Sequence, residues 1–411
     1  MAGRNIERQY AENRYTEEDG ERNRSLEEKP ETGQKKKRQR YFDYSLLAVI
    51  IFLCCFGLVM VYSSSSYAAQ IKSGDSLFYL KKQGVALLIG FGCMFLVSKI
   101  DYHRYAKVAV FGYILALVLM ILVNYTPLGI EYNGKKRWFG FGNTSLFQAA
   151  EAVKVAVILS MASLVTRFSK KIDLWRLQLL LVVLQAPLIF LVTDNNLSSG
   201  IILLGIVFLM LFVASRKKLR FFMAVALVAG LAAFVTVFSD QIIEWNILKD
   251  YQMERILVWK DPTAFALDGG MQVLQGLYAI GSGGLFGKGL GESMQKLGFV
   301  PEAQNDMVFS IICEELGLFG AVCVILLFLF MIWRFVVIAN NAPDLFGAML
   351  VVGIMSHIAL QVILNIAVVT NTIPNTGITL PFISYGGTSV VFLMMEMGAA
   401  LSVSASIRYE R

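Results

Sequence analysis

Charged residues are scarce in this 411-residue chain, and their scarcity excludes a soluble globular protein. Only 16% of the residues are charged and 56% are hydrophobic, whereas soluble domains carry about 25% charged residues. Apolar runs of roughly 18 to 22 residues recur along the chain, and an α-helix needs about that length to cross a bilayer. The composition therefore predicts an all-α polytopic membrane protein.

Histidine and cysteine, two common metal ligands, are also few. The two histidines, His103 and His357, lie far apart in the sequence. The five cysteines lack the spacing of metal ligands and lie in apolar runs, where cysteine packs as a small hydrophobic residue. We therefore expect no metal site built from these side chains. The cysteines are Cys54, Cys55, Cys93, Cys313 and Cys323.

The net charge of +7 is concentrated in a tail and in short loops. Residues 1–42 are polar and mixed in charge, and they end close to the basic cluster KKKRQR. Such a segment buries too little apolar surface to fold, so we predict a disordered cytoplasmic tail. It is not a signal peptide, because its charged region is too long and no cleavage pattern follows. Because this charge sets orientation in the membrane, we expect no nucleic-acid partner.

Ten apolar segments predict ten transmembrane helices in a membrane domain of residues 43–411. Basic segments such as RFSKKIDLWR and SRKKLR fall in inward-facing loops if the first helix starts in the cytoplasm. The even number of helices then places both termini in the cytoplasm. The predicted spans are 44–63, 83–99, 106–124, 147–166, 177–193, 199–215, 220–238, 306–335, 345–370 and 384–405.

Positive charge on the predicted outer face departs from the orientation rule. The loop EYNGKKRWFGFGNTS carries Lys135, Lys136 and Arg137, which suggests that an anionic ligand uses them. The loop 239–305, between the seventh and eighth helices, is rich in glycine, aromatic and amide residues. Loops longer than about 15 residues are usually functional or disordered, and this composition favours function. We therefore expect the functional site on the extracytoplasmic face.

Ionisable side chains inside the predicted helices need partners, because a charge at membrane depth costs roughly 2.5 to 3.5 kcal/mol. Glu151 and Lys154 can pair on one helix face, either as a structural ion pair or as the lining of a polar cavity. For the remaining polar residues we favour hydrogen bonds between helices over chemistry. These residues are Glu314, Glu315, His357, Gln361, Asn365 and Glu396.

The segment GSGGLFGKGLG contains enough glycine to suggest a phosphate-binding loop. Its spacing fits neither a Walker A motif nor a dinucleotide fingerprint, and the strand and helix that flank those motifs are missing. We therefore interpret it as a flexible or close-packed backbone segment beside a bulky lipid substrate.

Five motifs occur in a fixed order on predicted outer-face positions. They are GKKRWFGFG followed by EAVK, YQMERI with KDP, MQVLQGLYAIGSGGLFGKGLGESMQK, PEAQNDMVFSIICEELGLFG and GITLPFISYGGTS. Together with the ten helices, they resemble the shape, elongation, division and sporulation family, the FtsW/RodA/SpoVE proteins. The resemblance covers nearly the whole chain from about residue 43.

This resemblance implies a peptidoglycan glycosyltransferase for cell division, shape or sporulation. Such an enzyme polymerises lipid II into β-1,4 glycan strands at the outer face of the bacterial cytoplasmic membrane. The essential aspartate of the family falls at Asp306, where Asn305 replaces the usual threonine. The outer-loop tryptophan falls at Trp138. A family segment with glutamate and lysine falls at Glu151 and Lys154, although two alanines replace the usual Pro-Ser pair before them.

The resemblance also implies a partner, a single-span class B penicillin-binding protein with transpeptidase activity. Its motifs contain three further candidates for binding the lipid II headgroup or the nascent glycan: Gln275, Glu302 and Ser384.

The residues themselves suit glycosyl transfer from a lipid pyrophosphate. A base must take the proton of the attacking hydroxyl, and a carboxylate in a partly apolar setting can do so because its pKa is raised. Asp306 has that setting, although an aspartate there could instead be a helix N-cap. Cations must stabilise the departing pyrophosphate, and Mg²⁺ or Mn²⁺ could accompany it. The candidate cations are Lys135, Lys136, Arg137, Arg255 and Lys288.

Two other functions fit part of this pattern. A lipid II flippase would use the polar residues of the helices as a translocation path. Such carriers usually have repeated halves and helices broken near the midplane, and the sequence has no visible internal repeat. A non-catalytic scaffold for cell-wall proteins would need no base. Polymerisation of lipid II by the purified protein separates the three functions.

Overall fold

Twelve α-helices dominate the computed structural model, which describes residues 39–40, 42–132, 135–141, 144–238, 250–266 and 269–409. The all-α polytopic prediction is confirmed. Most of the predicted tail and part of the 239–305 loop lie outside the described residues, so the domain boundaries stay predictions. The helices are α1 (Tyr44–Ser73), α2 (Phe78–Lys99), α3 (His103–Tyr125), α4 (Ala149–Arg167), α5 (Trp175–Asn195), α6 (Leu197–Ala214), α7 (Leu219–Val237), α8 (Asp250–Lys260), α9 (Gly270–Gly283), α10 (Val308–Asn340), α11 (Leu345–Val369) and α12 (Thr388–Ser406).

Among the residues that the structure describes, nine helices are long and apolar enough to cross a membrane. The helix α7 coincides with the predicted span 220–238, but the apolar stretch found in it, Leu219–Leu231, is shorter than in the other nine. Helices α8 and α9 fall within the predicted 239–305 loop, which is therefore partly helical. The multi-pass fold is confirmed, whereas the count of ten spans stays a prediction.

Three short strands connect α3 to α4. They are β2 (Gly129–Tyr132), β3 (Lys135–Phe141) and β4 (Thr144–Gln148), and they form one antiparallel sheet in the order β2-β3-β4. Elsewhere, β1 (Gln39–Arg40) pairs antiparallel with β5 (Arg408–Tyr409).

The helix α1 continues ten residues beyond its predicted end at residue 63. The prediction stopped at a run of four serines, which are poor helix formers when their hydroxyl groups compete for backbone partners. Here the hydroxyls of Ser64 and Ser65 donate to the carbonyls of Met60 and Val61, at 2.7 and 2.6 Å. Because these bonds run back along the same helix, the serines fit into it. The helix ends at Gly74, whose φ of 70° is left-handed.

The helix α10 is interrupted at Gly317, which has φ 68° and ψ −168°. The interruption redirects backbone hydrogen bonds toward the glycine-rich segment after α9. In this segment, the N–H groups of Lys288 and Gly289 donate to the carbonyls of Glu314 and Glu315 on α10, at 2.9 and 3.0 Å. In return, the N–H groups that follow Gly317 donate to the carbonyls of residues 284 and 285. The glycine-rich segment is thus close-packed against α10, as one of its two sequence interpretations predicted.

A buried ion pair fixes the opposite end of α10. The carboxylate of Asp43 caps the start of α1 by accepting from the N–H of Leu46 at 2.9 Å. Arg334 donates to the same carboxylate from Nε at 3.1 Å and from Nη2 at 2.7 Å. The N–H of Asp43 donates to Ser404 Oγ at 3.3 Å. These contacts join α1, α10 and α12 through one fully buried carboxylate.

Replacing Arg334 with methionine should destabilise the protein by about 3 to 5 kcal/mol, because the Asp43 carboxylate stays buried without its cation. Thermal unfolding in detergent, followed by size-exclusion fluorescence, measures the loss. Adding Asp43→Asn to Arg334→Met should restore most of the stability, since asparagine keeps the helix cap without the charge. Equal unfolding temperatures for the single and double variants would refute this account.

Candidate active site

Asp306 lies in the turn of residues 301–307, just before α10, and its side chain is half-buried. The pKa of its carboxyl is raised to about 6, mainly by burial and to a smaller extent by the charge of Glu302. A hydrogen bond from Gln272 and the charge of Arg255 act in the opposite direction. The residue that caps α10 is Met307, so Asp306 is not the N-cap that the sequence also allowed. A carboxyl that titrates near neutral pH has the property that a general base needs.

The carboxylate of Asp306 lies between α9 and the segment 370–387. Gln272 Nε2, on α9, donates to Oδ1 of Asp306 at 3.0 Å, and Gln272 Oε1 accepts from Asn375 Nδ2 at 3.1 Å. Asn375 Oδ1 accepts in turn from the N–H of Gly377 at 3.0 Å. A Cβ atom on Gly377 would lie 3.7 Å from Asp306 Oδ2. Gln272 therefore positions Oδ1, and Oδ2 lies beside the backbone of Gly377.

The backbone around Asp306 is held by α11. The fully buried Asn365 donates from Nδ2 to the carbonyl of Asp306 at 2.8 Å and to the carbonyl of Ile378 at 2.7 Å. One amide thus holds the turn 301–307 and the segment 370–387 together. The prediction was a hydrogen bond between helices; Asn365 instead bonds two non-helical segments, one of which carries the candidate base.

A buried glutamine on α2, Gln83, holds the other side of the segment. Its Nε2 donates to the carbonyl of Ser384 at 3.4 Å, and its Oε1 accepts from the N–H groups of Gly386 and Gly387, both at 3.3 Å. Between them, the N–H of Tyr385 donates to the carbonyl of Gln304 at 2.8 Å. Gln83 therefore supports residues 384–387, and Tyr385 among them holds the turn that carries Asp306. Gln83 was not singled out from the sequence.

Arg255 is carried by α8, which is attached close to Asp306. Trp259 Nε1 donates to the carbonyl of Asn371 at 3.0 Å, and Asn371 Nδ2 donates to the carbonyl of Trp259 at 3.2 Å. Asn371 lies two residues after the end of α11, the helix that holds Asp306. Arg255 is exposed, and its positive charge has a small lowering effect on the pKa of Asp306. The contacts of Trp259 thus attach the helix of Arg255 to the segment that borders Asp306.

Two basic residues of β3, Lys135 and Arg137, are held at the junction of α5 and α6, and the third, Lys136, is held at the end of α3. Lys135 Nζ donates to the carbonyl of Asp194 at 3.3 Å, and Arg137 Nε donates to the carbonyl of Asn195 at 3.0 Å. Lys136 Nζ donates to the carbonyl of Thr126 at 3.5 Å. In the sheet, Trp138 lies opposite residues 130 and 148 and is half-buried.

This basic strand lies at the same end of the bundle as Asp306. The first turn of α6 reaches the segment 370–387, because Ser198 Oγ donates to the carbonyl of Thr376, next to Gly377. We call this end of the bundle, with strands β2–β4, the turn 301–307 and the segment 370–387, the loop end. It is the end that the charge pattern predicts to be extracytoplasmic.

Lys288 lies elsewhere than the sequence analysis expected. Its Nζ forms an ion pair with the buried Glu314 at 2.7 Å, and 34% of its side chain stays exposed. The neighbouring Glu315 pairs with a second lysine, Lys296, at 2.8 Å, and also accepts from Ser63 Oγ at 2.6 Å. Glu315 thus joins α10 to α1 through Ser63, as the inter-helix prediction stated, whereas Glu314 mainly binds the irregular segment after α9. Lys296 was not singled out from the sequence.

The remaining polar residues of the helices also have partners, and those of Gln361 lie in the non-helical segment 370–387. Glu151 and Lys154 form an ion pair of 2.9 Å near the start of α4, in which the lysine is almost fully buried. His357 Nδ1 lies 2.8 Å from Glu396 Oε2, which joins α11 to α12. Gln361 donates to the carbonyl of Thr379 at 3.0 Å. These contacts are structural, and a cavity lined by the Glu151–Lys154 pair stays a prediction.

Three candidates came from the family motifs: Gln275, Glu302 and Ser384. The amide that binds the carboxylate of Asp306 belongs to Gln272, three positions before the predicted Gln275 on α9. Glu302 is exposed, has φ 48° and accepts from Asn305 Nδ2 at 2.8 Å. Ser384 is buried, and its Oγ accepts from the N–H of Leu380 at 2.8 Å. Ser384 therefore stabilises a turn inside the segment 370–387.

Residues 44–409 match the model of the FtsW/RodA/SpoVE family, described as cell cycle proteins. Stage V sporulation protein E of Bacillus subtilis (strain 168) is 38% identical over 370 residues, which are 89% of this chain and 98% of that protein. A probable peptidoglycan glycosyltransferase FtsW of Geobacter sp. (strain M18) is 34% identical over 374 residues, 90% of this chain and 99% of that protein.

Two solved structures are also similar. A structure described as showing coordination of polymerization and crosslinking by a peptidoglycan synthase complex has a TM-score of 0.71 at 27% identity. The similarity covers 90% of this chain and 99% of that one. The rod shape determining protein RodA of Thermus thermophilus has a TM-score of 0.61 at 23% identity, covering 88% and 96%, and supports the fold alone.

Two substitutions next to Asp306 should move its pKa in opposite directions. Gln272→Met removes a hydrogen bond to the ionised form, so the pKa should rise above about 6. Glu302→Gln removes a neighbouring negative charge, so the pKa should fall. Infrared difference titration of the carboxyl band, with Asp306→Asn as the blank, measures both changes. Shifts of the same sign in the two variants would contradict the geometry around Asp306.

Proposed function

The chain belongs to the FtsW/RodA/SpoVE family of cell cycle proteins, and from this premise we propose that it is a peptidoglycan glycosyltransferase. Its substrate is lipid II, which it polymerises into β-1,4 glycan strands at the outer face of the bacterial cytoplasmic membrane. The observation that carries the proposal is the placement of Asp306. It is a half-buried carboxyl with a raised pKa, at the same end of the bundle as the cations of β3 and α8.

Asp306 is the general base in this proposal. Its ionised carboxylate takes the proton of the acceptor sugar hydroxyl while the hydroxyl oxygen attacks the anomeric carbon of the donor. The bond from that carbon to the pyrophosphate oxygen breaks, and the lipid pyrophosphate leaves with the bonding electron pair. A single displacement inverts the anomeric centre, from an α-linked donor to a β-linked product. General-base help of this kind is worth roughly 10²- to 10⁴-fold in rate.

The departing pyrophosphate is stabilised by cations of the loop end. Lys135 and Arg137 are anchored by contacts to the α5–α6 junction, and Arg255 is exposed on α8. Preorganised cations stabilise developing negative charge without having to rearrange during the reaction. Mg²⁺ or Mn²⁺ could share this role as a counter-ion of the pyrophosphate itself, because phosphate oxygens are the ligands that these ions prefer.

The orientation and partner follow from the same proposal. The loop end faces outward, both termini are cytoplasmic, and a single-span class B penicillin-binding protein crosslinks the glycan product. The similarity to the chain of a peptidoglycan synthase complex supports such an assembly.

Asp306→Asn should lower the rate of lipid II polymerisation by at least about 10²-fold, because the amide cannot take a proton. The purified full chain is assayed in vesicles, alone and with its transpeptidase partner, and a chelator arm tests for a divalent ion. Glu131→Gln, which changes an exposed carboxylate on β2, is the control and should leave the rate unchanged. In the wild type, the rate should fall as the pH drops below about 6, where Asp306 becomes protonated.

Normal polymerisation by Asp306→Asn, or a rate independent of pH between 4.5 and 8, would exclude Asp306 as the base. If the wild type moves lipid II across the membrane but forms no glycan in any of these assays, with or without partner or chelator, the protein is a carrier. If it does neither, it is a scaffold.

A further inference from the structure

We propose that the segment 284–299, which the sequence places in an outer aqueous loop, is a membrane anchor whose apolar side chains lie among the acyl chains of the outer leaflet. This inference concerns a lipid-binding surface and does not depend on the proposed enzymatic activity. It rests on the exposure of the segment, its backbone pairing and its height along α10.

Large apolar side chains of this segment are exposed, although it lies outside the predicted spans. Phe286 is 81% exposed, the most of any large apolar residue in the described chain. Among the charged residues of the segment, Lys288 and Glu292 are exposed, and Lys288 is already paired with Glu314. An exposed apolar surface of this kind indicates contact with a partner or a membrane. The large exposed apolar residues are Leu285, Phe286, Leu290, Met294, Leu297 and Phe299.

We identify the contact of the segment as lipid because the segment adjoins an exposed apolar side of the membrane helix α10. The N–H of Phe319 donates to the carbonyl of Leu285 at 3.0 Å, so the exposed side chains of the two residues belong to one surface. That surface continues along α10 through Leu318, Val322, Leu326 and Leu329, all exposed on a helix apolar enough to span the membrane. A surface that runs without interruption from a membrane helix into this segment is in contact with the same lipid.

The height of the segment follows from the length of α10. The part after Gly317, residues 318–340, has about 23 residues and measures about 35 Å at 1.5 Å per residue. That length already exceeds the hydrocarbon core of roughly 30 Å. Gly317 therefore lies near the outer boundary of the core, and the segment bonded across Gly317 lies at the same height.

The backbone of the first part of the segment, residues 284–289, is packed against α10. Non-helical backbone at membrane depth is tolerated where it is buried in protein, which satisfies its N–H and C=O groups with partners. The interrupted turn of α10 and residues 284–289 supply these partners to each other through four hydrogen bonds of 2.9 to 3.0 Å. Four charges at this level are paired, since Glu314 binds Lys288 and Glu315 binds Lys296, whereas Glu292 is exposed.

Photo-crosslinking tests the anchor in the otherwise native full chain. Phe286 is replaced by p-benzoylphenylalanine, and the protein is reconstituted into vesicles of phosphatidylethanolamine and phosphatidylglycerol. After irradiation, mass spectrometry should find lipid adducts at residue 286 at a yield within about two-fold of residue 88 on α2, an exposed position within a candidate span. Residue 131 on β2 is the aqueous control and should give at least about ten-fold fewer adducts.

A yield at residue 286 equal to that at residue 131 would place the segment in water and overturn the proposal. Adducts to a second copy of the chain in place of lipid would also overturn it, since they identify a protein interface. As a second measurement, Phe286→Cys and Glu131→Cys are labelled with a membrane-impermeant maleimide in vesicles. Residue 286 should react at least about ten-fold more slowly and should become reactive in detergent; equal rates in vesicles would again refute the anchor.

Discussion

The backbone hydrogen bonds across Gly317 determine how the functional end of this protein is built. Inside a bilayer every N–H and C=O group needs a protein partner, so a membrane helix cannot simply be interrupted. Here residues 284–289 complete the interrupted turn of α10. The short helix 308–316 is thereby separated from the rest of α10 and fixed against α9. Asp306 lies two residues before it, so its position depends on both sides of this contact.

The same region shows how a carboxylate can be held without being neutralised. Asn365 holds the backbone of Asp306, Gln272 holds one carboxylate oxygen, and Gln83 holds the turn from the opposite side. All three partners are uncharged amides. They fix geometry but, unlike a directly bonded lysine, leave burial as the main influence on the pKa of Asp306. The amides therefore fix the position of Asp306, while burial of the carboxyl raises its basicity.

The membrane fold was predictable because it depends on the length and apolarity of each segment, which the sequence records directly. The end of α1 was not predictable, because the hydrogen bonds of Ser64 and Ser65 to their own helix depend on side-chain rotamers. The interruption at Gly317 also has no local signal, because a glycine inside an apolar run fits a continuous helix equally well. Asp306 was found through a motif, whereas Gln272 and Gln83 depend on tertiary contacts between distant segments.

Lys288 and Arg255, two of the cations predicted from the sequence, differ in how far their charge is compensated within the protein. Lys288 is paired with Glu314, so most of its charge is already compensated within the protein. Arg255 is exposed, and its charge lowers the pKa of Asp306, which weakens that carboxylate as a base in the free protein. We infer that a bound pyrophosphate changes this balance. It would neutralise Arg255 and add negative charge nearby, and both effects raise the pKa of a carboxyl. Asp306 would therefore become a stronger base when the donor is bound, which couples proton abstraction to the presence of a leaving group.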